Sequence, residues 1–91
     1  MNDTELRKQI KECIGKDIRK RRKKIGLSMD EFAVDCGLNA KFLGRVERGE
    51  TMPSVHTMVK LSLGFQLEHY TILLEKVNTE IYHKLIENQK E

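Results

Sequence analysis

The chain has 91 residues, 38% of them hydrophobic, with one proline and six glycines, which is enough for one domain around a modest core and too little for a large enzyme cleft. It is 34% charged with a formal net charge of +3 at pH 7, no apolar run nears the ~18 residues of a membrane span, and the start MNDTELRKQ lacks the apolar stretch of an export signal. These features exclude a transmembrane protein and predict a cytoplasmic one, and nothing alternates at period two for long, so the expected class is all-α.

The charge is unevenly placed. Residues 1–24 hold ten Lys/Arg against four Asp/Glu, whereas residues 25–65 hold four against five and residues 66–91 three against five. The block RKRRKK, Arg19 to Lys24, is either a surface that attracts a polyanion or a solvated helix face. Across the same stretch Leu6, Ile10, Cys13, Ile14 and Ile18 recur at the three-to-four spacing of a helical stripe, which Asn2, Asp3 or Thr4 can cap. Gly15 inside it allows one long helix or two pieces joined there. Gly26 ends the run, and Ser28 with Glu31 three residues on forms a capping box.

A second helix, Met29 to Cys36, is expected to bury Phe32, Ala33 and Cys36 and to stop at Gly37. Asn39 caps a third that reaches Arg48 and stops at Gly49. After a loop, Ser54 opens a fourth helix with Val55, Met58, Val59 and Leu61 to Leu63 inward, and LGFQL interrupts it. Tyr70, Leu74, Val77, Ile81 and Leu85 mark a last helix with a longer stripe than so small a core needs. Cys13 and Cys36 match no metal or redox spacing and are expected as reduced thiols, Cys36 in the core. His56, His69 and His83 share no ligand spacing. No metal, cofactor or catalytic arrangement is expected.

Two short helices joined through a glycine, the second opened by a capping Asn, have the geometry of a helix-turn-helix over residues 29–48. With GLS, FA, CGL and VERG…P at matching offsets between Ile14 and Phe65, the chain resembles the lambda-repressor-like (Cro/C1-type, XRE) helix-turn-helix family. The resemblance implies a five-helix domain at residues 14–66, extended by helix at residues 1–13 and followed by a C-terminal helix at residues 67–91.

On the third helix Leu43 and Val46 face the core, which leaves Ala40, Lys41, Gly44, Arg45 and Arg48 outside. In the family this face enters the major groove. Arg45 then forks onto guanine O6 and N7, Lys41 reaches a guanine or a phosphate, the Ala40 methyl meets a thymine methyl, and Gly44 leaves a smooth strip for close approach. Ser28, Asn39 and the helix-start N–H groups suit phosphate oxygens. The same resemblance puts Arg19, Lys23 and Arg48 near phosphates, with Lys20 in support, and Phe42 against the sugar-phosphate backbone or over the core. Met29 occupies a phosphate-facing position where many relatives have a glutamine, which weakens one anchor, and the ETMPS loop has Glu50 and no cation. Glu47 is expected to pair with Arg22, itself close to a phosphate. Gln66 replaces the glycine many relatives have after the fourth helix.

The reading that follows is a dimeric, sequence-specific regulator of transcription, a repressor by expectation, that binds a palindromic operator in double-stranded DNA. Its dimer would form through Tyr70, Leu74, Val77, Ile81 and Leu85. The competing class is an antitoxin or adaptor that meets a protein partner through its C-terminal helix.

Overall fold

The computed structural model describes residues 1–89, and its first helix, α1 (Asp3–Lys24), starts where the Asn2 side chain accepts the N–H of Glu5 at 2.8 Å. α1 is continuous through Gly15, the first of the two alternatives, so residues 3–13 extend the same helix toward the N-terminus. The reason Gly15 is there lies across the interface. A β-carbon on it would run into the backbone carbonyl oxygen of Val46 and lie 2.6 Å from that of Glu47. The missing side chain lets α1 rest on the C-terminal backbone of the third helix, between the buried Ile14 and Ile18.

α2 (Met29–Cys36) opens with the full capping box: Ser28 Oγ accepts from Glu31 N–H at 3.1 Å, and the Glu31 carboxylate accepts from Ser28 N–H at 2.9 Å. These bonds, the backbone one foremost, hold the Glu31 carboxyl below the usual carboxylate range. Its lowered value means that the box supports α2 at neutral pH and is lost as pH falls through it. Gly37, at φ 67°, turns the chain with no steric cost, and Asn39 Oδ1 accepts from both Lys41 N–H and Phe42 N–H to start α3 (Ala40–Glu47). The helix stops one residue short of the expected end, with Arg48 as its cap.

Ser54 caps α4 (Val55–Gly64) by accepting from Thr57 N–H. Here the expected inward set changes. Met58 and Leu61 are buried, but Val55, Val59 and Leu63 form an exposed flank at i, i+4 and i+8. Ser62 takes an interior place instead, and donates its hydroxyl to the carbonyl of Met58 at 2.8 Å, so the buried oxygen is satisfied. α4 closes on α2 until a β-carbon on Gly64 would strike Cys36 Sγ and lie 3.1 Å from Phe32. The Phe32 and Phe65 rings then pack at 4.2 Å between centroids.

Gln66, directly after the α4 cap, holds φ 58°. For a residue with a β-carbon that left-handed conformation is unfavourable by roughly 1–2 kcal/mol, part of which a glycine would return through its freer unfolded chain. Gln66→Gly is therefore expected to stabilise the fold by about 0.5–1 kcal/mol, read as a Tm raised by a few degrees; an unchanged or lowered Tm would contradict it.

The fifth helix, α5, spans residues 70–89 and is composite: a 3-10 turn (Tyr70–Leu74), one α turn (Glu75–Val77), a π turn (Asn78–Tyr82) and an α-helical end (His83–Gln89). It runs antiparallel to α1: Lys76 and Glu80 share one depression with Cys13, Lys16 and Lys20, Lys84 shares the next with Gln9 and Glu12, and Cys13 Sγ donates to Glu80 at 3.6 Å. In the 3-10 turn Leu73 rather than Leu74 enters the core, while Tyr70, at its start, stays exposed. Val77 packs on the core cluster and Ile81 is buried.

Candidate nucleic-acid interface

The α2–turn–α3 unit is clamped by packing and by one buried ion pair. Phe32, Ala33, Cys36, Leu43 and Val46 are buried, and Leu38 and Phe42 pack half-buried against them. Glu47, at the end of α3, is met by Arg22 of α1 in a two-pronged pair: Nε to Oε2 at 2.7 Å and Nη2 to Oε1 at 2.9 Å. Arg22 Nη1 also donates to the carbonyl of Leu27 at 2.9 Å, so one guanidinium ties α1, the α1–α2 turn and α3 together. The Glu47 hydrogen bond raises the Arg22 pKa further, and both side chains are buried. The acid of α3 is thus neutralised inside the protein and does not confront a ligand. Three of the five Arg22 N–H donors are used in this way, so the Arg22 phosphate contact that the resemblance implies is limited to what its two remaining N–H groups reach.

The outer side of α3 lines a shallow concavity with the start of α2. Lys41 and Arg45 project from it exposed, Ala40 is half-buried, and Met29, Asp30, Arg48 and Glu50 complete the wall. Gly44 is its floor. Rather than lying open, Gly44 is covered: a β-carbon there would be 3.0 Å from Arg48 Nη1 and 3.8 Å from Met29 Cε. Arg48 is drawn across the helix because its Nε donates to the carboxylate of Glu50. The Arg48 bond in turn holds the Glu50 carboxyl below its ordinary range. The ETMPS loop, expected to bring Glu50 and no cation, brings its acid to Arg48; two opposite charges two residues apart around Gly49 are the sequence signal for that pair.

Arg19 borders a second depression on the same side, shared with Arg22, Met29, Gly44 and Arg48. Lys23 is exposed on α1, and Ser28 and Asn39 sit at the starts of α2 and α3 with their side-chain oxygens already engaged as caps. The RKRRKK block is not one surface. Six successive residues circle a helix: Arg22 is buried with Glu47, Arg21 Nε pairs with Asp17 at 3.0 Å, and Lys20 faces the α5 side with Lys16 and Lys76. Of the five residues expected at a dimer contact, Val77 and Ile81 are occupied within the chain, because the long α1 stripe covers them; Tyr70 and Leu74 remain exposed and Leu85 half-buried.

The thiols show no reactive poise. Burial, aided by the Glu80 carboxylate, pushes Cys13 up to about 11, and burial pushes Cys36 up to about 11; both remain protonated near neutral pH. The three histidines are exposed, and among the described residues no three His, Cys, Asp or Glu side chains are grouped to hold a metal ion. No helix among those residues is long and apolar enough to cross a membrane.

Comparison with known proteins agrees with this geometry. A helix-turn-helix family model, HTH_3, matches residues 18–71, from the middle of α1 into the start of α5. The chain is 35% identical over 79 residues to the HTH-type transcriptional regulator SlrR of Bacillus subtilis, covering 86% of this chain and 51% of that protein. It is 35% identical over 68 residues to the HTH-type transcriptional regulator SinR of the same organism, covering 74% of this chain and 61% of SinR. The chain therefore spans between half and two thirds of the length of these relatives. Among solved structures, an HTH_3 family transcriptional regulator from Vibrio cholerae superposes with a TM-score of 0.70 at 29% identity, over 76% of this chain and 38% of that one. With the capped α2–Gly37–α3 unit, its buried Arg22–Glu47 clamp and a family match over more than half of its residues, this chain belongs to the helix-turn-helix family HTH_3.

Proposed function

We propose that the protein is a sequence-specific, duplex-DNA-binding regulator of transcription that acts by binding in the cytoplasm and not by catalysis. The observation that carries this reading is the outer face of α3, where Lys41 and Arg45 stand exposed around Gly44, with the movable Arg48 side chain laid across the glycine. A helix that presents two long exposed cations, with only a displaceable arginine over the glycine between them, fits the major groove, where Arg forks onto guanine and Lys reaches guanine or phosphate. The Ala40 methyl lies on the same wall for contact with thymine. Arg19, Lys23 and Arg48, the Ser28 hydroxyl and the Asn39 amide are assigned to phosphates, Met29 and Phe42 to apolar contact with the backbone, and Arg22 to a lesser phosphate contact. The names of SlrR and SinR, both HTH-type transcriptional regulators, support the same role. A repressor that occludes its promoter needs no more machinery than this face.

A two-fold dimer is proposed as the working form, with Tyr70, Leu74 and Leu85 as the contact, since Val77 and Ile81 are occupied by α1. It predicts half-sites about 34 Å apart on one side of the duplex. Selection of bound fragments from random duplex DNA tests both parts. The expected product is an enriched palindrome with half-site centres one helical turn apart; enrichment of a single half-site would remove the dimer, and no enrichment over random sequence would remove specific recognition. The adaptor reading has less support, because α5 gives much of its apolar stripe to α1.

A further inference from the structure

Arg48 is assigned above to a phosphate, yet in the free protein its Nε is already bonded to a carboxylate of the same wall. A carboxylate on the guanidinium edge makes the same charge-assisted contact that a phosphate oxygen makes there. The two side chains are about equally exposed, so the pair can open, while the backbone beneath both is held. Glu50 rides on a fixed loop: its N–H donates to the carbonyl of Arg45 at 2.9 Å, Gly49 N–H donates to that of Val46 at 3.0 Å, and Gly49 sits so close to α1 that a β-carbon on it would lie 3.0 Å from Glu12 Cα. Arg48 is a long exposed side chain that lies over Gly44, where a β-carbon would approach its Nη1 to 3.0 Å.

We infer that Glu50 is an internal mimic of a DNA phosphate: it holds Arg48 across the Gly44 floor, and a duplex engages the α3 face only by drawing Arg48 away from it. The backbone beneath Glu50 stays where it is while the two exposed side chains part. The acid therefore sets how tightly the face takes any polyanion, because the Arg48–Glu50 bond must break before Arg48 can meet a phosphate. This inference rests on the proposed DNA-binding role of α3 and adds a determinant of affinity that does not itself read a base.

The test is a titration of the full chain and of E50A, E50Q, R48A and R48A/E50A onto a fluorescent mixed-sequence duplex over a series of KCl concentrations, after circular dichroism has shown each variant to be folded. E50A is expected to bind about threefold tighter or more, an effect of the order seen for one surface charge contact, with its log K against log salt slope little changed, because Arg48 meets a phosphate in both complexes. E50Q should move the same way by less. In the R48A background, E50A should change little, because the cation it restrains is gone. Binding that E50A leaves unchanged or weakens overturns the inference alone, as does an equal gain in the R48A background, which would make Glu50 a simple repulsive charge. If neither the unaltered protein nor E50A retains duplex at low salt, the DNA reading of α3 falls, and this inference with it.

Discussion

Glu47→Ala is expected to lower folding stability by about 3 kcal/mol, the largest single effect foreseen outside the hydrophobic core. The substitution leaves the Arg22 guanidinium buried with no counter-charge, and removing one partner of a buried pair costs roughly 3–5 kcal/mol because the other is stranded. The lower end applies because the pair borders the depression between Arg19, Met29 and Arg48, so water can enter as those side chains relax. Arg22→Met with Glu47→Leu should cost much less than either single change, since no charge is then stranded. A residual loss is expected at the Leu27 carbonyl, which gives up the donor it has at 2.9 Å. Urea midpoints followed by helical circular dichroism measure all three. Glu47→Ala within ~0.5 kcal/mol of the parent, the range of an ordinary surface change, would mean that the pair is a surface contact and not a clamp.

The second large effect concerns binding and should leave folding intact. Lys41 and Arg45 are exposed, so alanine at either changes stability by no more than ~0.5 kcal/mol. On the selected operator Arg45→Ala is expected to lose about 1–3 kcal/mol per half-site and to relax the base preference at one position, as the loss of a bidentate base contact does. Lys41→Ala distinguishes two roles. A base contact gives a local loss of preference; a phosphate contact gives uniform weakening across sequences, with a salt slope flatter by about 0.9 per half-site. Unchanged operator binding by the double variant would remove α3 from the interface.

These expectations differ in how early they are available. The α2–turn–α3 unit is legible in the chain because its instructions are short-range. A cap such as Ser28 or Asn39 bonds an N–H two or three residues away, and Gly37 needs only its own φ. The assignment of Lys41 and Arg45 to the outer face follows from the helical period once Leu43 and Val46 are known to be inside. The clamp between Arg22 and Glu47 is different: the sequence supplies two opposite charges twenty-five positions apart, and only the resemblance to a family pairs them before the fold brings them to 2.7 Å.

What the sequence by itself determined is therefore the local grammar: five helices, their caps, the turn, and which side of α3 carries its cations. The tertiary structure decided everything that depends on what covers a helix. It sent Arg21 and Arg22 of a six-cation run into ion pairs, buried Leu73 and Ile81 while leaving Leu74, Val55 and Leu63 exposed, and laid Arg48 over Gly44 toward Glu50. It also gave Gly15 its reason, since only the nearby backbone of Val46 and Glu47 makes a β-carbon impossible there. The physical cause is one of range. Caps and turns close within four residues and are written in adjacent letters, whereas burial and charge pairing are set by the neighbour that a distant segment places alongside.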